Sequence, residues 1–373
     1  EQPLTVSTLN GNTVVSNNKV SMDFNAEGKL NSWMLQGIDL VKADGGPDYD
    51  NYRWIENDAP YGNDPNYTTA NGITSTTTNF TSSADNLKVT ATVQGTGTLC
   101  NYVFTYEIYA DGHVDLTAAY TPQQTELRRL GLSMQIPGTL SDISYYARGP
   151  WANYVDRCTG SFLGRYTTTV NDMNEYYLRP QTMGNRQDLR EVSFTNPTTG
   201  KGFKVETEGE AAFSALHWKD AELHTTLHNW ELPFSENAAE RTIHLHLDYR
   251  QKGIGNGSCG PGTIPAYELP SSGTFTHKLR FTPIGGSGTG IDSPEKPTAF
   301  TIRHNSEFIT VSGQLPAGTS ATLLNLGGAV LSAAHATTAA PSLTLSLASL
   351  PKGSYLLVVE NAGGQRVHKF VKM

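Results

Sequence analysis

Apolar and polar positions alternate with a period of two along most of the chain, the spacing of a strand with one buried face. Residues 102–109 read Tyr-Val-Phe-Thr-Tyr-Glu-Ile-Tyr, and Val114 to Tyr120 forms a second run of the same kind. Between them lies Ala110-Asp111-Gly112-His113, whose Asp-Gly pair is a hairpin signature. Leu130, Leu132, Met134 and Ile136 alternate with Gly131, Ser133 and Gln135. Leu87, Val89, Ala91 and Val93 repeat the pattern, and Ile243, Leu245 and Leu247 alternate with His244 and His246. Turn residues recur roughly every 8 to 12 positions, which predicts an all-β fold, a large antiparallel sandwich. One stretch departs from this. Asp220-Ala-Glu-Leu-His-Thr-Thr-Leu-His offers an N-cap at Asp220 and leucines at Leu223 and Leu227, which predicts one or two helical turns.

The alternation stops at Ile284 to Pro297, where Gly, Ser and Pro dominate without hydrophobic period, as in a linker. The chain therefore divides into a large β-domain over residues 1–284, a linker over 285–297, and a small module over 298–373. The module carries Phe308-Ile-Thr-Val, Leu343-Thr-Leu-Ser-Leu and Tyr355-Leu-Leu-Val-Val, suited to a small Ig-like β-sandwich of roughly seven strands. An apolar fraction of 37% over 373 residues supports a sizeable core and argues against disorder. The formal net charge is −8, with no dense Lys/Arg block, which sets nucleic acid aside as a partner. A neutral polar ligand such as a sugar needs no net charge. No run approaches the about 18 apolar residues of a membrane span, so no transmembrane segment is expected. The start, Glu1-Gln2-Pro3-Leu4, shows no signal-peptide character. Cys100, Cys158 and Cys259 are odd in number and match no metal spacing, so they read as small buried side chains.

Four runs are rich in Arg, Asp, Asn, Gly and aromatic residues, with little alternation. They are Tyr52-Arg53-Trp54-Ile55-Glu56-Asn57-Asp58, then residues 147–157 from Ala147-Arg148-Gly149-Pro150-Trp151, then 179–190 from Arg179-Pro180-Gln181, and 248–261 from Asp248-Tyr249-Arg250-Gln251. Each sets forked guanidinium donors beside carboxylates or amides, which suits either sugar hydroxyls or the locking of long loops to one another.

In order and content these runs resemble the small-chain domain of family 2 β-galactosidases, over roughly residues 4 to 283. That family shows Arg-Gly-Pro-x-Glu-Asn-Tyr-x-Asp-Arg, a Pro-Gln-x-x-Gly-Asn-Arg run, and Asp-Tyr-x-Gln-x-Gly-x-Gly with Ser-Cys-Gly-Pro. Two departures stand out: Ala152 replaces the usual Glu, and Thr182-Met183 replaces a frequent Glu-Asn. The resemblance implies a two-sheet supersandwich similar to galactose mutarotases, packed in the parent enzyme against a TIM barrel whose active-site rim it helps to shape. The parent hydrolyses terminal β-galactosides with retention. The partners implied are that barrel and a β-galactoside or other carbohydrate. Parent enzymes often use Mg2+ or Na+ in the barrel, so no cofactor is expected in this chain. As substrate-rim or interface residues the motifs nominate Arg53, Asn57, Asp58, Arg148, Trp151, Asn153, Tyr154, Asp156, Arg157, Arg179, Asn185 and Arg190. His228 and Glu231 join them from a Leu-His-x-x-Glu-Leu run of the same pattern. His244 stands about where some members place an aromatic that reaches the sugar, although a satisfied polar-face histidine also fits.

Retaining hydrolysis needs two carboxyl groups about 5 to 5.5 Å apart. In the family both glutamates sit on barrel strands, and no alternating strand–helix pattern exists here to build a barrel. Asn174-Glu175, followed by Tyr176-Tyr177, reads as loop surface. No catalytic residue is therefore assigned. A mutarotase-like pocket from His217, His224, His228 and Glu231 around Trp218 and Trp230 is a rival. A stand-alone carbohydrate-binding module and a structural surface protein are the others. His224 and His228 lack a third metal ligand. The tail, with Leu323-Leu-Asn-Leu-Gly-Gly, Leu347-Ala-Ser-Leu-Pro-Lys-Gly-Ser-Tyr and His368-Lys-Phe-Val-Lys-Met, resembles type IX secretion sorting domains, which implies export to the cell surface or beyond.

Overall fold

The predicted hairpin forms where the alternation is strictest. In a computed structural model, Cys100–Tyr109 buries Cys100, Tyr102, Phe104, Tyr106 and Ile108 while the intervening side chains stay partly exposed. It pairs antiparallel with Val114–Pro122, placing Val114 opposite Ile108. Gly112 closes the turn at φ 99°, a conformation glycine adopts without a steric penalty. The structure describes residues 1–56, 72–124, 127–209, 211–255, 262–285, 300–305, 307–361 and 364–372. These divide into two units, Glu1–Gly164 with Thr169–Ser287, and Gly288–Met373 with Arg165–Thr168. Beyond Gly285, the linker lies outside the described residues.

The hairpin sits inside a nine-stranded sheet of the first unit. A five-stranded sheet faces it, in the order Arg186–Gln187, Ala212–Leu216, Thr242–Gln251, Arg129–Pro137, Asp48–Asp50. Residues 5–39 form a further five-stranded sheet. Aromatic side chains join the layers. Tyr49 stacks on Tyr102 at 5.6 Å, Tyr145 meets Phe213 edge-on at 5.3 Å, and the buried Trp33 lies 4.7 Å from Phe281. The fold is the all-β antiparallel sandwich that the alternation predicts. The helix also forms, over Asp220–Thr225, but its cap is Lys219. Asp220 lies in the first turn and is buried, because its carboxylate is held by Thr182 and Arg129.

The second face of the five-stranded sheet is polar. Ser133 and Gln135 lie opposite His246 and His244. A bulge then shifts the register: Leu130 pairs with Arg250 but Gly131 pairs with Asp248, so Tyr249 is the extra residue of this strand. The extra residue reverses which face the following side chains occupy. Gln251 thereby comes opposite Arg129, on the face that Asp248 already uses. Gly131 leaves room for this. A Cβ there would lie 2.2 Å from Asp248 Oδ1 and 2.8 Å from Asp248 Cα.

The second unit is a small sandwich of its own. Phe300–His304, Phe308–Leu315 and Ala340–Ser346 make one sheet, and Val330–His335, Ser320–Asn325, Gly353–Asn361 and Gly364–Lys372 make the other. Ile309, Val311, Leu323, Leu357 and Val359 form its dry centre. In the Leu-Pro-x-Gly-x-Tyr run, the Tyr355 ring is buried and its hydroxyl donates to the Pro351 carbonyl at 2.6 Å.

Substituting Gly131→Ala forces either Asp248 or the strand to move. Such overpacking costs about 1–3 kcal/mol. Urea denaturation is expected to show the midpoint falling with an unchanged slope, since the surface exposed on unfolding stays the same.

Candidate functional site

The motif loops converge on one fully buried guanidinium, that of Arg129. Its Nη1 donates to Asp220 Oδ2 at 2.7 Å and to the Tyr52 carbonyl at 2.9 Å, and lies 3.5 Å from Asp50 Oδ2. Its Nε lies 3.2 Å from Asp248 Oδ2. A charge removed from water is tolerable only when paired and hydrogen-bonded, and three carboxylates meet that need. Burial disfavours the arginine's charge, but Asp248, Asp220 and Asp50 outweigh it and raise its pKa. Burial likewise acts against Asp50, yet His246 and Arg129 hold that carboxyl below its usual range. His246 Nδ1 is 2.8 Å from Asp50 Oδ2 and 3.0 Å from Arg129 Nη1. Asp248 behaves differently: burial pushes it up to about 6 even with Arg129 beside it.

From this centre, hydrogen bonds tie the runs to one another. Thr182 Oγ1 donates to Asp220 Oδ1 at 2.8 Å and accepts from the Trp54 amide at 3.0 Å, joining the first and third runs. The departure from the family's Glu-Asn at Thr182-Met183 thus places a hydroxyl in the lock and a buried thioether beside it. Gln251 Nε2 donates to Asp248 Oδ2 at 2.7 Å and to Asn185 Oδ1 at 3.0 Å. Asn185 Nδ2 donates to the Asn153 carbonyl at 2.8 Å, and Asn153 Nδ2 to the carbonyls of Trp151 at 2.9 Å and Arg148 at 3.1 Å. Asp156 accepts the amides of Ile254 at 3.1 Å and Gly255 at 2.9 Å. Arg53, fully buried, donates to the carbonyls of Lys252 and Gly253.

The remaining motif residues lie nearer the surface. Arg148 pairs with Asp188 and donates to the Ser161 carbonyl at 3.0 Å. The buried Tyr154 donates its hydroxyl to the Thr182 carbonyl at 3.3 Å, and the exposed Arg157 sits 5.8 Å from its ring. Arg190 is exposed and donates to the Leu189 carbonyl at 3.2 Å, while Trp151 is half-buried. Asn57, Asp58 and Cys259 lie outside the described residues.

One side of the lock carries a layered stack. Arg179 lies 4.8 Å above the Trp54 ring, which stacks on His224 at 4.7 Å, and His224 Nδ1 meets the Tyr52 hydroxyl at 2.8 Å. Burial, then the charges of Asp220 and Asp50, push the Tyr52 phenol up to about 12, while burial and Arg179 lower His224. The pair is therefore neutral near pH 7. Arg179 Nη2 donates to the His224 carbonyl at 3.3 Å, and its Nε faces Glu56 at 3.6 Å.

Next to the stack, the loops around residues 176 and 228 are joined by a hydrogen bond from the Asn229 amide to the Leu178 carbonyl. They present large apolar side chains to solvent: Tyr176 is 81% exposed, Leu178 83%, Leu227 56% and Trp230 74%. The Trp230 ring stacks on His228 at 4.5 Å, and His228 Nδ1 meets Glu231 Oε1 at 2.9 Å. Trp218, by contrast, is buried and donates its Nε1 to the Pro233 carbonyl at 2.5 Å. His224 and His228 therefore serve different neighbours, and among the described residues no group of three or more His, Cys, Asp or Glu is placed to hold a metal ion. His244 lies on the polar sheet face, apart from both sets.

Arg129, Asp50, Asp220 and His246 form the centre of the site without belonging to the four runs. One signal was available for the first. Arg129 precedes Gly131 by two in an alternating strand, where a charged residue on the same face as a glycine marks space kept for a partner.

Fold and site together define a two-sheet β-sandwich whose polar loops are bound to one buried arginine. The chain belongs to the beta galactosidase small chain family, whose profile matches residues 16–281. It is 30% identical over 189 residues to the β-galactosidase of Priestia megaterium, covering 50% of this chain and 18% of that enzyme. It is 32% identical over 195 residues to that of Staphylococcus xylosus, covering 52% and 18%. The match thus spans less than a fifth of these relatives. Among solved structures, the galactose 1-epimerase of Lactobacillus acidophilus aligns with a TM-score of 0.40 at 9% identity, over 75% of this chain and 97% of that one.

Substituting Arg129→Leu leaves three buried carboxylates facing one another. The loss expected at pH 7 is about 3–5 kcal/mol, smaller at pH 5, where protonation relieves the repulsion. Asp248 supplies a second test. Its folded pKa, about 6, lies above the ordinary 3.8. Between those values the folded state binds more protons than the unfolded state, so this group's contribution to stability rises as pH falls through 6. In Asp248→Asn that gain on acidification should vanish, read as urea midpoints at pH 7 and 5 for both proteins.

Proposed function

We propose that this chain is the non-catalytic carboxy-terminal portion of a β-galactosidase, docking on the catalytic barrel of its parent enzyme and shaping the rim where terminal β-galactosides are hydrolysed with retention. The observation that carries this reading is the exposed cluster of Tyr176, Leu178, Leu227 and Trp230 beside the motif loops. Large apolar side chains gathered at the surface mark a place for another protein, and tryptophan and tyrosine are enriched at the centres of such interfaces. The neighbouring pair Arg179 and Glu56 supplies a polar margin. The carboxylates gathered around Arg129 support the non-catalytic part. Asp50, Asp220 and Asp248 all face Arg129, so they are committed to the lock and not placed as an acid and a nucleophile flanking open space. The carbohydrate partner would be met at the rim formed jointly with the barrel, and metal ions of the parent would sit in the barrel. The second unit, by its resemblance to sorting modules, directs the protein out of the cell.

Two measurements test this. The purified chain is expected to give no turnover of a chromogenic β-galactoside, whereas turnover that survives repurification would overturn the non-catalytic reading. The chain is also expected to bind the Priestia megaterium enzyme from which the matched segment has been removed. Trp230→Ala and Leu178→Asp should weaken that binding at least tenfold without changing the melting temperature, since both side chains are exposed. Absence of binding by the unaltered chain would sink the docking role. Unchanged binding by both variants would move the interface elsewhere.

A further inference from the structure

The exposed cluster is built from two loops that are distant in sequence. Tyr176 and Leu178 come from the segment that leads into Thr182, and Leu227 and Trp230 from the one that follows the helix Asp220–Thr225. Two bonds join these loops near the surface. The Asn229 amide donates to the Leu178 carbonyl at 3.3 Å, and Arg179 Nη2 donates to the His224 carbonyl at 3.3 Å. Both are longer than the usual N–H···O range.

Beneath the surface the bonds are shorter. Asp220 opens the helix and is buried. Its Oδ2 accepts from Arg129 Nη1 at 2.7 Å, and its Oδ1 accepts from Thr182 Oγ1 at 2.8 Å. The first bond roots the helix on the guanidinium, and the second reaches the base of the other loop. From Thr182 the ties continue outward. Its amide donates to the Trp54 carbonyl at 2.7 Å, and Sδ of the buried Met183 takes the Glu175 amide at 3.3 Å, which folds the segment carrying Tyr176 and Leu178 back on itself. The helix is closed by bonds of its own. Glu222 Oε2 accepts the Lys219 amide at 2.8 Å, and the Glu222 carbonyl accepts Thr226 Oγ1 at 2.7 Å. The His228 amide then donates to Glu231 Oε2 at 3.0 Å, closing the turn that presents Trp230. A carboxylate bonded at 2.7 and 2.8 Å out of water outweighs bonds of 3.3 Å near the surface, because charge-assisted bonds strengthen where the dielectric is low.

We infer that Asp220 is the positioning residue of the exposed cluster, setting Leu178 and Trp230 relative to each other by fastening both loops to one point beside Arg129. That the cluster receives a barrel rests on the docking role proposed above. Its placement by Asp220 does not, and is read on the chain alone.

Fluorine NMR of the full chain carrying 5-fluorotryptophan tests the placement. The five tryptophans, Trp33, Trp54, Trp151, Trp218 and Trp230, give one signal each, and Trp230→Phe identifies that of Trp230. In Asp220→Asn, which keeps the side-chain shape and removes the charge, the Trp230 signal is expected to shift and broaden. The signal of Trp33, buried 4.7 Å from Phe281, should stay in place. Thr182→Val cuts only the bond to the other loop and should also move the Trp230 signal, and it carries the test if Asp220→Asn fails to fold. Ile108→Ala thins the core of the nine-stranded sheet instead, so it should lower the melting temperature and leave the Trp230 signal where it was. An unmoved Trp230 signal in folded Asp220→Asn and Thr182→Val would overturn the inference, as would an equal shift in Ile108→Ala. Binding to the truncated Priestia megaterium enzyme is then measured on the same proteins. Asp220→Asn is expected to bind at least tenfold more weakly, and Ile108→Ala as the unaltered chain does. Full-strength binding by a variant whose Trp230 signal has moved would sustain the placement and overturn the docking role.

Discussion

A single guanidinium holds the organisation of this domain. Arg129 sits where water cannot reach it, and its charge is tolerable only because Asp50, Asp220 and Asp248 arrive from three separate segments. Each carboxylate brings a piece of chain with it: a short edge strand, the start of a helix, and a central strand at its bulge. The loops are thus fixed from within. Their amides and hydroxyls then fasten them to one another, from Thr182 through Asn185 to Asn153. Loop order of this kind comes from charge and polar satisfaction, whereas the sheets beneath are ordered by apolar burial.

The lock also decides what chemistry is left over. Carboxylates bound to an arginine are poor candidates for acid or nucleophile. What faces outward is the apolar cluster around Trp230, suited to meeting a protein surface. A family whose members extend far beyond this segment leaves room for such a surface.

The all-β class, the hairpin at Asp111-Gly112 and the helix at Asp220 were legible in the sequence because each depends on local periodicity or turn chemistry. The four runs were legible as polar loops, but not the guanidinium at their centre. Arg128 and Arg129 look alike as neighbours in sequence, and only the register of the strand turns Arg129 toward Asp248. The partners of Arg129 lie 79, 91 and more than a hundred residues away, distances over which no pattern of neighbours carries information. His244 was legible as a polar-face histidine.

The bulge at Tyr249 has a consequence for how this strand tolerates change in length. Thr242–Gln251 behaves as a sentence with two reading frames, one up to Asp248 and the opposite one after it. The frames are joined by a single inserted residue, and it is the change of frame that seats Gln251 beside Asp248. Loss of that one residue would not simply shorten the strand. It would carry the glutamine to the sandwich interior and break the thread from Arg129 to the second motif loop, as a frameshift garbles everything downstream of it.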